Sequence, residues 1–229
     1  MNQLAAEARI ALAIAGKDGL SELRGRHAVL STLFFAALVL LLFGFALGPD
    51  ARRLAEAAPG LIWLAIVFTG VLALGRLHQL EADDGALEQL ALYPVRRRAI
   101  YLGKALAGFI AMLATGIVLL GAAALLYGVD VVAAAAPLGL ILVFGTIGIA
   151  AVGTFHAGIT VRMRAREQLL PLLMLPVLAP LLLATVKGTA IALGAGQAGD
   201  LVAWIELLVV FDAVMLVVGA ATYGYLLEE

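Results

Sequence analysis

The chain passes from a stretch that can cross a membrane to one that cannot at Arg76. Residues 57–75 read AAPGLIWLAIVFTGVLALG, and residues 76–94 read RLHQLEADDGALEQLALYP. The first stretch carries no full charge and is close to the roughly 20 residues that cross a bilayer as a helix. The second is too charged to enter lipid, yet its leucines recur at helical spacing. We therefore predict a membrane span followed by a short amphipathic surface helix.

Composition places the whole chain in the membrane class. Of its 229 residues, 64% are hydrophobic and 14% are charged, against about 45–50% and about 25% in soluble domains. The absence of cysteine excludes disulfides and thiolate metal sites. The net charge of −1 gives no support to nucleic-acid binding. Charges throughout the first 26 residues argue against a cleaved signal peptide.

Apolar run lengths predict an all-α integral membrane protein with six transmembrane helices in one domain, residues 1–229. The predicted helices are 28–48, 58–75, 100–127, 138–161, 168–186 and 207–227. Residues 1–26 are expected to form an interfacial segment, because small and apolar side chains fall on one side of a helix there. Residues 187–206 are expected to be an outer loop with a re-entrant segment.

The distribution of basic residues predicts the orientation. Twelve of the 15 lysines and arginines fall on one side of the predicted spans: Arg9, Lys17, Arg24, Arg26, Arg76, Arg96, Arg97, Arg98, Lys104, Arg162, Arg164 and Arg166 against Arg52, Arg53 and Lys187 on the other. Because cytoplasmic loops carry the excess of positive charge, both termini and the 76–94 segment are expected in the cytoplasm.

No pattern of catalytic or metal-binding residues is present in the sequence. Gly16-Lys17 and Gly103-Lys104 are not followed by the Ser or Thr that a Walker A motif requires. No HExxH metal motif and no Gly-x-Ser-x-Gly nucleophile elbow occurs. We therefore expect a non-enzymatic chain with no catalytic residue, metal site or cofactor of its own, so that any ATP hydrolysis occurs in a partner chain.

A few polar or helix-bending residues near the spans are candidates for a gate or pathway. Ionisable groups in lipid are costly and therefore often functional, and proline bends or breaks a membrane helix. The candidates are Glu206, Asp212, Pro171, Pro176 and Pro180. Both acidic residues are expected at the outer end of the sixth helix. His156 is expected to make an interhelical hydrogen bond rather than to act as a ligand.

The 76–94 segment is long for a connection, since about 4–6 residues usually suffice. Its ordered pattern favours a docking surface for another protein. The docking candidates are Leu80, Glu81, Asp84, Gly85, Leu87, Glu88 and Leu90. Leucines would bury against the partner, acidic groups would meet a basic rim, and Gly85 would allow a sharp change of direction.

These residues resemble a known family. Leu80-Glu81 through Leu90, closed by Tyr93-Pro94, is similar to the coupling helix of ABC-2-type exporter permeases. The resemblance narrows to the CcmB family of haem exporter permeases in cytochrome c maturation on three further stretches: Lys17-Asp18 to Arg26, Ala58 to Trp63, and the prolines of 169–180. Gly19 and Gly75 depart from the pattern, at positions where that family more often has a larger and an acidic residue.

The resemblance implies an ABC-2-type, type V exporter-like permease in the bacterial inner membrane. Its implied partners are a CcmA-like cytoplasmic ATPase that binds ATP, CcmC- and CcmD-like haem-handling and small membrane subunits, the periplasmic haem chaperone, a second copy of the chain and membrane lipid. Haem would be the substrate of the complex. ATP hydrolysis would drive either haem export or release of the haem-loaded chaperone. An exporter of another amphipathic substrate, such as a lipid-linked glycan or a drug, is the alternative.

Overall fold

The computed structural model describes residues 3–83, 96–160, 166–194 and 200–226, and within them the secondary structure is helical. The helices are α1 (Gln3–Arg24), α2 (Arg26–Leu47), α3 (Ala51–Asp83), α4 (Arg97–Tyr127), α5 (Ala135–Thr160), α6 (Arg166–Ala192) and α7 (Leu201–Leu226). Six of these, α2 to α7, are long and apolar enough to cross a membrane. The prediction of an all-α membrane protein with six spans is confirmed.

Two spans begin earlier than their predicted starts, because an aspartate caps each of these helices. The Asp50 carboxylate accepts bonds from the backbone N–H groups of Arg52 and Arg53 at 3.0 and 3.2 Å. Asp200 accepts in the same way from Val202 and Ala203. A side-chain oxygen satisfying the free N–H groups of the first turn fixes a helix start. The predicted starts at residues 58 and 207 are therefore wrong, and the helices start at 51 and 201.

The end of α3 also differs from the prediction. The helix does not stop at residue 75 but continues through Arg76 to Asp83. Charged side chains end the membrane-embedded part of a helix without breaking its backbone hydrogen bonds. Residues 76–83, the first part of the predicted surface helix, are thus an extension of the span. Residues 84–95 lie outside the described part of the chain.

Helices α3 and α5 are the most buried spans of the bundle. Side-chain hydrogen bonds join helices to one another across the apolar core. The Trp63 indole N–H donates to the Thr189 hydroxyl at 2.9 Å, which links α3 to α6. The Tyr127 hydroxyl donates to the Leu40 carbonyl at 2.6 Å, which links α4 to α2. Each bond satisfies a polar group that would otherwise be buried without a partner, which is costly in lipid as in a core.

Helix α6 is unbroken from 166 to 192 although it contains three prolines. The alternative of a broken helix is therefore wrong. The region 187–206, predicted to hold a re-entrant segment, is divided between the end of α6 and the start of α7. Its described part contains no separate helix, and residues 195–199 lie outside that part.

Candidate functional site

The start of α4 is tied to α1 by two arginines. Arg98 Nη2 lies 2.6 Å and Arg96 Nη1 lies 3.0 Å from the same oxygen, Oε1 of Glu7. A second nitrogen of Arg96 donates to the Gln3 side chain at 2.8 Å. Positive charge at a helix N-terminus opposes the helix dipole, so the carboxylate of Glu7 offsets an otherwise unfavourable arrangement.

The arginine between them reaches a different helix. Arg97 Nη1 donates to the Gly224 carbonyl oxygen at 2.8 Å. This carbonyl belongs to the last turn of α7, where carbonyls lack helical partners and cations are favoured. We call Arg96, Arg97 and Arg98 with Glu7 and Gly224 the arginine junction. It joins three helices, α1, α4 and α7, at the point where the chain enters α4.

Farther along α4, Gly103-Lys104 packs against α1. A Cβ placed on Gly103 would lie 2.7 Å from the Ala11 carbonyl oxygen, so only glycine permits this approach of α1 to α4. About two turns of α1 beyond that contact, Asp18 Oδ2 lies 3.6 Å from the Lys104 ammonium, and both side chains are buried. Asp18 also pairs with the exposed Lys17 at 3.1 Å.

Tyr101, in the first turns of α4, links this helix to α5 and α7. Its buried hydroxyl lies 3.1 Å from the Ala151 carbonyl on α5 and 3.3 Å from the Met215 carbonyl on α7, and it donates into this pair. Its ring packs against Tyr223 with centroids 5.4 Å apart. The first turns of α4 therefore contact α1, α5 and α7, so a displacement of this helix start would reach much of the bundle.

Glu7 makes the arginine junction sensitive to pH. The hydrogen bond from Arg98, with the charges of Arg98 and Arg96, lowers the pKa of Glu7 below its ordinary value of 4.5. A lowered folded-state pKa adds stability that is present above pH 4.5 and is lost as the pH falls through the lowered pKa. We expect the hydrogen exchange of residues 3–14, relative to the intrinsic rate of an unfolded chain at the same pH, to rise in that range.

The variant Glu7→Gln separates this effect from general acid unfolding. It is expected to show fast exchange in residues 3–14 already at pH 7, with little further rise on acidification. Exchange in α5 serves as the internal control and is expected to be the same in both proteins. A wild-type and a variant profile that coincide at pH 7 would contradict the role of Glu7.

The second feature of the site is a buried carboxylate in the middle of the membrane-spanning part. Asp212 is 4% exposed, and neither carboxylate oxygen has a hydrogen-bond partner among the described residues. A Cβ placed on Gly148 would lie 2.5 Å from Asp212 Oδ1, so the glycine of α5 makes room for the acid of α7. Because α7 starts at 201, Asp212 lies roughly 16 Å from that end of the helix.

This position corrects the expected place of Asp212 at the outer end of its helix. Glu206 lies six residues earlier and is exposed, so the two acids do not form one site. Of the three prolines of α6, Pro176 and Pro180 are exposed and Pro171 is half-buried. The five gate candidates are therefore not brought together in one place. A pathway role for each of them stays a prediction.

The other candidates are placed as follows. Leu80 and Glu81 lie in the last turns of α3, where the structure describes only the backbone, and Asp84, Gly85, Leu87, Glu88 and Leu90 lie outside the described residues. The docking prediction therefore rests on the sequence. His156 Nδ1 lies 2.8 Å from the Val152 carbonyl of its own helix. The expected interhelical bond is thus wrong, because the carbonyl one turn earlier is the nearer partner.

The family assignment follows from comparison with known proteins. The family described as "CcmB protein" matches residues 9–227. The chain belongs to the CcmB family.

"Heme exporter protein B" of Rhodobacter capsulatus is 37% identical over 153 residues, which are 66% of this chain and 69% of the relative. The protein of that name in Haemophilus influenzae is 34% identical over 161 residues, 70% of this chain and 72% of the relative. The one in Escherichia coli is 40% identical over 84 residues, 36% and 38% of the two chains.

The match over residues 9–227 covers α2 to α7 and all of α1 except its first six residues. Glu7 of the arginine junction lies just before the matched residues, whereas Arg96, Arg97, Arg98, Gly224 and the Asp212–Gly148 contact lie within them. The latter are therefore features of the family-related part of the chain and not of an added segment.

Proposed function

We propose that this protein is the membrane subunit of an ABC transporter for haem export, driven by an ATPase in another chain. The match to the CcmB family over residues 9–227 carries the proposal, and the names of the relatives supply the substrate. Six apolar helices provide the membrane part. The haem-handling and small membrane subunits and the haem chaperone are proposed as further partners.

The proposed orientation puts the arginine junction in the cytoplasm. All three arginines are on the side of the spans to which the sequence assigns twelve of the 15 basic residues, and the positive-inside rule assigns that side to the cytoplasm. Both termini and residues 76–94 then face the cytoplasm of a bacterium, at its inner membrane. An ATPase docked on residues 76–94 would contact the chain between α3 and α4.

The proposed coupling runs from the docked ATPase into the start of α4. Movement of residues 76–94 would pull on the end of α3 and on Arg96. The arginine junction would pass that movement to α1 through Glu7 and to α7 through the Gly224 carbonyl. Tyr101 would pass it to α5. The Tyr101 contact is buried, and packed interiors resist gradual deformation.

Reconstitution tests the substrate and the direction. The complex of this protein with its ATPase is placed in sealed vesicles, with and without the haem-handling subunits and the haem chaperone, and haem inside and outside is measured after ATP addition. ATP-dependent haem transfer by the protein and ATPase alone is expected. ATP-dependent release of the haem-loaded chaperone without haem transfer would instead make the chain a mechanical transducer. Neither response with an active ATPase would overturn the proposal.

The docking role of residues 76–94 has its own test. Replacing Glu88 by Lys reverses a charge on the proposed docking surface, and we expect loss of most ATPase co-purification while the protein still inserts in the membrane. Like-charge contacts across an interface cost several kcal/mol. Glu56→Lys, at the opposite end of the bundle, is the matched control and is expected to keep the ATPase. Retention of the ATPase by the Glu88 variant would refute the assignment.

A further inference from the structure

A groove open to the lipid runs along α4, facing α1 in its larger cavity and α2 in its smaller one. It consists of two adjoining cavities of about 210 and 180 Å³ that share Glu22, Ala73, Ala111, Met112 and Ala114 in their walls. Along α4 it extends from Ala107 to Val118, which is roughly 16 Å at 1.5 Å per residue. We call this feature the α2–α4 groove. Helix α3 forms its floor, and the second half of α1 covers one end.

The walls of the α2–α4 groove suit a hydrocarbon chain. They are formed mainly by alanine, glycine and larger apolar side chains, with a few threonines. Water needs two to four polar partners to be held in a cavity, and these walls offer few. A helix is about 10–12 Å wide with its side chains, so cavities of about 210 and 180 Å³ are too narrow for one.

The end of the groove under α1 carries two carboxylates, with an arginine nearby. Asp18 lines the larger cavity and is paired with Lys104, whereas Glu22 lines both cavities and is half-buried. Burial raises the pKa of its carboxyl, and the positive charge of nearby Arg76 opposes that shift. Arg76 donates to the Thr32 hydroxyl at 3.2 Å and is the last residue of the apolar part of α3. Glu22 and Arg76 therefore lie at headgroup level.

We propose that the α2–α4 groove binds a phospholipid with a primary-amine headgroup, taken from the leaflet at the arginine-rich end. One acyl chain would fill the groove, the Glu22 carboxylate would accept hydrogen bonds from the ammonium group, and Arg76 would donate to the phosphate. A zwitterionic headgroup matches a side-chain pair of opposite charge. Arg76 is also the first residue of the proposed docking segment, 76–94, and the lipid site requires nothing of the substrate carried.

The test measures lipid retained by the 229-residue protein. The protein is exchanged into nanodiscs of phosphatidylethanolamine, phosphatidylcholine or phosphatidylglycerol, extracted, and examined by native mass spectrometry. We expect one retained phosphatidylethanolamine, with about tenfold less of the other two lipids, a difference of about 1.4 kcal/mol, because they lack the primary ammonium group that would donate to Glu22. Equal retention of all three lipids, or of none, would overturn the proposal.

Two variants and a control locate the site. Ala111→Trp fills the groove and is expected to remove the retained lipid, whereas Ala213→Trp, on the exposed face of α7, is expected to keep it. Glu22→Gln leaves the walls intact and is expected to lose the preference for the amine headgroup. If the Ala111 variant retains the lipid unchanged, the assignment of the lipid site to the α2–α4 groove is refuted. Haem transfer is assayed separately, so failure of this proposal and failure of the transport proposal are distinguishable.

Discussion

Replacing Asp18 by Asn is expected to destabilise the protein by about 3–5 kcal/mol, the cost typical of removing one partner of a buried ion pair. Asp18 and Lys104 are 1% and 0% exposed and lie 3.6 Å apart between α1 and α4. The asparagine side chain is neutral, so the buried Lys104 ammonium loses the carboxylate that balances its charge. Thermal unfolding in detergent, followed by the loss of helical circular dichroism, measures the change.

A double variant distinguishes the charge from the packing. Asp18→Leu combined with Lys104→Met replaces the pair by apolar groups and is expected to recover most of the lost stability, because such replacements are often neutral. Glu56→Gln breaks the exposed pair with Arg52 at 2.8 Å and is expected to cost less than about 1 kcal/mol. If Asp18→Asn costs no more than Glu56→Gln, the pair is not buried in the working protein.

Replacing Asp212 by Lys is expected to cost about 1–3 kcal/mol, the typical cost of forcing a longer side chain into a packed interior. Asp212 is buried against Gly148, near Leu181 of α6, so the lysine side chain would overpack this contact. Resistance of the membrane-inserted protein to proteolysis and its unfolding temperature measure the effect.

The neutral variant Asp212→Asn keeps the size of the side chain and is expected to fold nearly as the wild type does. Its transport activity then reports whether the acid itself is used, since the fold is preserved. Ala213→Asn, at the neighbouring exposed position, is the matched control for adding an amide at this depth. A Lys variant as stable as the wild type would mean that Asp212 does not face a closed protein interior.

Apolar run length predicted the number and order of the spans, because the bilayer requires a fixed length of helix whatever packs around it. It did not predict helix ends. Asp50 caps a helix that begins before its apolar run, and Asp200 caps one that begins at the first residue of its run, six residues before the predicted start. In the sequence alone, neither aspartate differs from an ordinary loop aspartate. An aspartate before each run is a signal that could have moved both starts.

The site was predicted less well, because its contacts join residues far apart in the chain. Arg96 and Arg98 stand 89 and 91 residues from Glu7 in the sequence, and they read only as topology-determining charges until α1 is placed beside α4. Gly103-Lys104 could be excluded as a phosphate-binding motif, but its role in holding α1 depends on Ala11 and Asp18. Such pairings have no periodic signature in one sequence.

The sequence by itself determined that this is a six-span membrane protein of the CcmB type with a charged segment between its second and third spans. These properties follow from local composition, since transfer of each residue into lipid is nearly independent of its distant neighbours. Only the tertiary structure decided that Asp212 is enclosed against Gly148, that the arginines join three helices, and that a groove separates α2 from α4. These depend on which helix faces approach one another, and that choice is made by packing the whole bundle.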